Sequence, residues 1–536
     1  MAVDYTETDL VRAGTLEKMF RRFAQLIGNP SAVKPHWDEA SGRYDNIGEW
    51  MGLMADGLVY GVQVPLYAYS PVTSGIKTGA NVGLVLEASS ESAAGRNDYD
   101  GRLLFMCPRC NGGVDPDGTN YVTAIEGLDD RFDPTQNTYT ITPVYYKRVT
   151  VDSQYKHREY TDTPRTGFKP CYGAYTPDGE LRPFILRACY MDSAGDFSSK
   201  SGTQPATNMG SPVHVGHCAN YDFNNSKART ADGLTYLTYG DIAYQEDFME
   251  LMLGVKAPRE AAVGCVSYDF QYTVAEAEDG VRRVLLTDAQ AANVEVGSTL
   301  SIGDGSTSAT DRNNAVLHNI AACAKVLSKV AQGNGVTAVN LDLDADVDIP
   351  ATATVKSMWW PNGSCDGVLG TFGAKTPAGL TNGKMPFKFQ NVEWNLGVYE
   401  TICDMYSNAT VEGNIATHTW WQAPDVSKCS GINKSTGWSA LSQQTVGQTG
   451  GWRYIKDYAD EKGARVPENV AGTSTTGYRT AWYPGAAGDR EMLVGGALCD
   501  GAAAGVGCVY SGSALSHANW DVGGRSSAIG HSAPAE

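Results

Sequence analysis

The sequence predicts a β-rich α+β chain of several domains, and three observations carry that reading. A chain of 536 residues is too long for one ordinary hydrophobic core and divides more naturally into about two to four domains. Glycine is abundant at 60 residues and Tyr (28) and Trp (11) are frequent, while charged residues make up only 19%. Glycine turns joined to aromatic and Thr/Val-rich segments read as many short strands linked by long ordered loops. Third, helical periodicity is confined to a few segments.

The first of these is N-terminal. Leu10, Val11, Leu16, Met19, Phe20, Phe23 and Leu26 recur at three- and four-residue steps, and Gly28-Asn29-Pro30 ends the run. Residues 1–58 are therefore read as a helical attachment segment with a Trp/Gly connector. From 59 to 265 strand and turn signals dominate. YTITPVYYKRVTV (139–151) alternates β-formers, and Asp115-Pro116-Asp117-Gly118 and Pro177-Asp178-Gly179 carry turn chemistry. One helix is expected there, over 238–258, with Asp241 as N-cap and Gly254 near its end.

Residues 266–357 read as a small inserted β-rich module. NLDLDADVDIP alternates Val339, Leu341, Leu343, Val347 and Ile349 with Asp342, Asp344, Asp346 and Asp348, which suits one half-buried strand with a solvated acidic face. The same row invites comparison with a calcium ladder, but no EF-hand glycine spacing accompanies it. DRNNAVLHNIAACAKVLSKVAQGNG (311–335) fits a helical period, while its Val and Ile content also fits a strand. The remainder, 358–536, is dense in Trp, Gly and Asn, and the spacing of Val398, Ile402 and Met405 predicts a short helix there.

A net charge of −18, with no run of four Lys or Arg, argues against a nucleic-acid partner. The N-terminus has no apolar signal region and no stretch of eighteen apolar residues occurs, so synthesis and folding in a cytoplasm without membrane insertion are expected. Twelve cysteines at irregular intervals then read as free thiols. Cys107 and Cys110 form a lone CxxC without the second pair a zinc ribbon needs, and His214, His217 and Cys218 do not converge on one strand face. GDGSTS (303–308) lacks the lysine of a P-loop, and no nucleophile elbow, HExxH pair or kinase signature occurs. No cofactor, metal or catalytic residue is expected.

The C-terminal tract MLVGGALCDGAAAGVGCVYSGSALSHANWDVGGRSSA, from Met492, has neither strand nor helix period. Its glycines are too frequent for a helix and break long strands. A frame of Gly495, Gly496, Gly501, Gly505, Trp520, Gly523 and Arg525 is visible. Between these residues stand Leu498, Cys499, Asp500, Ala503, Cys508, Tyr510, Ser511, Ser513 and His517, which, with Tyr478, are the expected ligand contacts. A pinned, glycine-turned loop system can change its side chains without changing its fold.

At these residues the chain resembles phage receptor-binding proteins with the C-type-lectin-like fold related to formylglycine-generating enzymes, some of which are variable proteins of diversity-generating retroelements. WWPNGSCDGVLGTFG (359–373) is similar to the family's Trp-x-x-Gly-Ser-x-Asp turn, and MPFKFQNVEWNLGVYETICDMY (385–406) to a strand and helix inside that domain. VPENVAGTSTTGYRTAWY leads into the GG…G…NW-x-V-G-x-R ending. The resemblance is most specific over 355–525. It implies a lectin-like C-terminal domain carrying the inserted module, a homotrimer, and a variable face. Retroelement variation is confined to adenine-derived codons, and Cys499, Asp500, Ala503, Cys508, Tyr510, Ser511, Ser513 and His517 are of the residue types it yields. The enzyme branch of the fold uses a closely spaced cysteine pair; Cys499 and Cys508 are nine apart, so oxidase activity is not carried over.

The expectation is a virion protein, on a tail or other appendage, that recognises a host cell-surface protein or glycan and contacts other virion proteins. A structural head-fibre or baseplate subunit and a polysaccharide-degrading tail protein are the alternatives. Replacing Tyr510, Ser513 and His517 is expected to alter binding, whereas replacing Trp520 or Arg525 is expected to disrupt folding.

Overall fold

The computed structural model describes residues 35–527 apart from 129, 177, 195, 208–221, 225–234, 306–309, 414, 433–435 and 447–449. The N-terminal helix expected over 10–26 and the HVGHC cluster lie outside the described residues. What is described is β-rich.

Two sheets are built mainly from the first half of the chain. One runs, in spatial order, through Trp37–Asp38, Arg43–Tyr44, Asn120–Ile125, Arg109–Val114, Thr138–Thr142, Ile185–Ala188, Ser526–Ser527 and Thr235–Tyr236. The Asp115–Gly118 turn expected from sequence closes its Arg109–Val114/Asn120–Ile125 hairpin, with Gly118 at φ +84°. The other holds Tyr60–Pro65, Ile76–Gly79, Tyr146–Val151, Tyr155–Thr161 and Lys169–Pro170. A third large sheet is centred on Tyr399–Glu412, flanked by Ile415–Gln422 and Gly488–Gly495, and continues through Gly505–Ser511, Ala481–Pro484 and the hairpin Arg453–Glu461/Ala464–Val470. Val522–Gly523 returns to pair in parallel with Tyr399 and Glu400.

The short helix expected near 398–408 is corrected: these residues open the fourteen-residue strand Tyr399–Glu412. Both faces of that strand are buried over its first nine residues, so apolar side chains occur without strict alternation and mimic a helical stripe. Its Tyr, Thr, Ile, Cys and Val content is that of a central strand. The expected helix at 238–258 is present as Tyr239–Leu253, ended by Gly254 in the left-handed conformation. Its N-cap is Thr238, not Asp241; Asp241 sits in the first turn, where its carboxylate meets the Arg187 guanidinium at 3.1 Å. This helix is buried on all sides.

Residues 271–358 form a separate six-stranded sheet with its own core of Val284, Leu286, Leu300, Val326, Val339 and Val355. The ambiguous 311–335 segment is a short 3-10 turn, Ala315–His318, followed by the strand Ala321–Gly333. The single strand expected over 339–349 is two, Val336–Asp342 and Val347–Ile349, because Asp344 and its neighbours turn between them. Asp342, Asp344, Asp346 and Asp348 are all exposed. Outside this module, the segments read as 59–265 and 358–536 are not separate bodies. One core joins Tyr60, Tyr145, Phe248, Trp359, Phe387, Trp420, Trp482 and Val522. Ser526–Ser527 is stitched between strands of the N-terminal sheet.

Candidate functional site at the C-terminal loops

The chain leaves the strand Gly488–Gly495 through Gly495 (φ +89°) and Gly496 (φ +146°). A Cβ on Gly496 would stand 2.3 Å from Ala504 Cβ, so the close return of the loop requires glycine there. Leu498 then plunges into the main core, held by hydrogen bonds from Tyr268 N to Leu498 O (2.9 Å) and from Leu498 N to Gly397 O (3.2 Å). Cys499 is exposed, and Asp500 closes the turn by accepting from Ala497 N at 2.8 Å. A single 3-10 turn, Gly501–Ala503, leads to the strand Gly505–Ser511.

Five expected contacts are corrected by this geometry. Leu498, Ala503, Cys508, Ser511 and Tyr478 are buried and turned inward. Cys508 and Ser511 lie on opposite faces of this strand and both are covered, Cys508 by Val263, Val266 and Ala504, while Ser511 Oγ accepts from the Trp482 indole at 2.7 Å. Tyr478 packs edge-on against Tyr458. Such residues belong to the frame. Cys499, Asp500, Tyr510, Ser513 and His517 do reach the surface, fully or in part.

The expected frame residues are held as follows. Gly495, Gly496, Gly505 and Gly523 are buried, and Gly501 is half-buried. Trp520 carries the Arg312 guanidinium 4.3 Å over its ring, and its backbone N–H donates to Asn313 Oδ1 at 3.2 Å. Arg525 is fully buried and forms a two-point ion pair with Glu400, donates to Ala188 O and Glu393 O (3.1 and 2.9 Å), and lies over Trp394. Three supports escaped the sequence reading. Arg259 donates to Ala504 O (2.5 Å) and Gly501 O (2.9 Å), pinning the loop from the turn after the long helix. Arg312 belongs to the inserted module, where Asp269 (2.8 Å) and Ser357 O (2.9 Å) fix it under Trp520. Lys356 shares Asp269 at 2.9 Å. No motif marks any of these, because each contact joins segments distant in sequence.

Two further surface residues were missed. Tyr483 stacks on Tyr510 with centroids 4.7 Å apart, and Trp452 meets both edge-on at 5.3 and 5.9 Å. All three are half-exposed. The stack follows from register: Ala481–Pro484 runs parallel to Gly505–Ser511 and places Tyr483 beside Tyr510. The patch thus unites three segments, and a parallel register is not written in local sequence.

The electrostatics of the loops are acidic and partly unsatisfied. Burial pushes the Asp521 carboxyl up to about 6, with Asp500 adding repulsion, and Asp521 Oδ1 is buried without a hydrogen-bond partner. Burial also raises Asp500. Partial burial and then the Asp500, Asp269 and Asp521 carboxylates push the Cys499 thiol up to about 11. Burial raises Cys508 well above the usual thiol range. Neither sulfur has thiolate character near neutral pH, so the pair is poorly suited to nucleophilic or redox chemistry. His517 is lowered by burial and stays neutral at pH 7. The surface chemistry is that of aromatic faces, short hydroxyls and neutral imidazole beside two carboxyls.

Elsewhere, Cys107 and Cys110 are buried, with thiols raised by burial and by Cys189. Among the described residues no group of three or more His, Cys, Asp or Glu side chains is placed to hold a metal ion. Nor, among them, is any helix long and apolar enough to cross a membrane. No protein-family model matches the chain, and neither does any curated protein.

Proposed function

We propose that this chain is a phage virion receptor-binding protein, displayed on a tail or appendage as a homotrimer, that recognises a host-surface ligand through its C-terminal loops. The observation that carries the reading is the division of one tract into two sets. The backbone anchors (Gly496, Leu498, Trp520, Arg525) are buried and bonded, while Tyr510, Ser513 and His517 are partly exposed, with Tyr510 beside Tyr483 and Trp452. Rigid aromatic rings offer large contact area at small entropic cost, and short polar side chains adapt to different partners, as in antibody paratopes. Multiple copies on one particle multiply a weak contact by avidity.

The C-type-lectin-like fold and diversification by a retroelement are part of the same reading, supported by the motifs around 359–373 and 492–525. The test is a triple variant, Tyr510→Ala with Ser513→Ala and His517→Ala, assayed as purified fluorescent protein on host cells. Adhesion is expected to fall at least tenfold while the variant stays folded, with only a small fall in melting temperature from the lost Tyr510–Tyr483 stack. Undiminished adhesion by a folded triple variant would overturn the proposal.

A further inference from the structure

The inserted module and the main body meet in a cleft of about 350 Å³, remote in sequence from the C-terminal loops. Its module side is formed by Gly297, Cys323, Lys325 and Asp342, and its body side by Glu91, Ser201, Gly202, Gln204, Trp360–Ser364 and Lys375. The volume falls within the range of small-ligand pockets, about 300–1,000 Å³.

Three features set this cleft apart from an ordinary seam. Cys323 adopts a left-handed backbone (φ +49°) next to a register shift between Leu300 and Ile302, a conformation a non-glycine residue keeps only when its surroundings impose it. They do: His318 Nε2 faces the Arg312 carbonyl at 2.8 Å and so carries the ring proton, leaving Nδ1 to accept from Ser301 Oγ at 2.8 Å. Ser301 Oγ in turn accepts from Cys323 N at 3.0 Å. Second, Asn362 on the floor is 1% exposed; its amide donates to Met191 O and Thr203 Oγ1, while its Oδ1 has no partner. Buried acceptors are rarely left unpaired without a reason.

Third, the rim is charged; Lys375 Nζ already donates to Val296 O at 3.1 Å and lies over the Trp360 ring. Lys325 and Asp342 face each other across paired strands, and Glu91 and Lys375 stand opposite on the body. Among the described residues none of the four forms an ion pair. Two cations and two anions give no net pull on phosphate or on a simple cation. They do supply both donors and acceptors, alongside the Ser201 and Ser364 hydroxyls; the Gln204 amide is already engaged, accepting from Trp359 Nε1 (3.0 Å) and donating to Cys323 O (3.5 Å). Ser201 and Ser364 already donate, to Asp366 (2.5 Å) and Pro361 O (2.5 Å), which leaves their oxygens to accept.

We infer that this cleft is a saccharide subsite, taking one or two sugar units whose hydroxyls pair with Lys325, Asp342, Lys375 and Glu91. The inference is independent of the C-terminal face. It is tested on the full chain by saturation-transfer NMR with maltose, lactose and N,N′-diacetylchitobiose, and with inorganic phosphate as a charge control. Saturable binding of at least one disaccharide is expected, weakened tenfold or more in a Lys325→Ala/Asp342→Ala variant and unchanged in Tyr510→Ala. Both rim side chains are exposed on strands, so their removal leaves the module folded; a melting curve checks this. Absence of saturable sugar binding, binding of phosphate alone, or sugar binding indifferent to the rim substitutions would overturn it. Host adhesion lost in Tyr510→Ala with sugar binding intact separates this cleft from the proposed receptor face.

Discussion

Two polar regions of this molecule have opposite characters. Around the long helix, charge is abundant, buried and paired. Arg465 meets Glu250 at 2.8 Å and also Asp247, and Arg158 meets Glu250 and Asp460, both at 2.9 Å. Lys156 and Lys147 complete the set on Asp460 (2.7 Å) and Asp247 (2.9 Å). These side chains tie three elements together: the helix, the 146–161 hairpin and the 453–470 hairpin. At the C-terminal loops, Asp500 and Asp521 are also largely withdrawn from water, yet Asp521 Oδ1 has no hydrogen-bond partner and, among the described residues, neither carboxylate forms an ion pair. Every carboxylate of the first set meets a cation, although Arg158 Nε and Arg465 Nε have no hydrogen-bond partner, and paired charge of this density rigidifies a fold; a carboxyl left unpaired beside an open surface is free to meet a ligand.

The comparison can be broken experimentally. The largest effect is expected for Arg465→Met, which leaves Glu250 and Asp247 short of a buried partner. Loss of one member of such a network costs about 3–5 kcal/mol, read from urea unfolding. A near-neutral result would mean that the network is not structural. Leu498→Ala is expected to cost about 2–5 kcal/mol through the cavity it leaves, with host binding per folded molecule unchanged. The opposite pattern would return Leu498 to the contact set.

Asp521→Asn sharpens the contrast through pH. The folded-state pKa of about 6 lies above the ordinary 3.8, so the folded protein holds this proton more tightly than the unfolded chain does. The corresponding stability is present below pH 4 and is lost as pH rises through 6. The asparagine variant should therefore match the parent at pH 4 and exceed it by on the order of 2 kcal/mol at pH 7. Equal melting temperatures across that window would show that Asp521 is solvated. Smallest in stability is the Tyr510/Ser513/His517 triple variant, expected to cost about 1–2 kcal/mol, chiefly from the lost stack of Tyr510 on Tyr483.

What was legible in the sequence follows from the range of the forces involved. Local signals served well: the Asp115–Gly118 turn, the helix before Gly254 and the glycine frame after Met492 each rest on backbone rules acting over a few residues. The same rules misread Tyr399–Glu412, because a strand buried on both faces loses the alternation that would identify it. Periodicity likewise carried the alternation at Val339 across a turn into Ile349. In the candidate site, the sequence marked the tract but not its inside and outside. Cys508 and Ser511 look like adaptable polar residues, and only pairing with distant strands turns them inward. Arg259, Arg312, Tyr483 and Trp452 were invisible for the same reason: their roles come from segments brought together by the fold.

The strand Ser526–Ser527 fills a slot between Ile185–Ala188 and Thr235–Tyr236, and Ser527 Oγ donates to Asp241 at the start of the long helix (2.6 Å). Translation reaches that slot's walls long before it reaches the residues that fill it. At roughly 5–20 residues per second, the ribosome leaves those edges unpaired for on the order of tens of seconds. The nascent chain must keep two open strand edges from joining other molecules meanwhile. Completion of the first sheet thus waits on Ser526–Ser527, so a chain released before those residues are made would be left with an unclosed sheet and an adhesive edge.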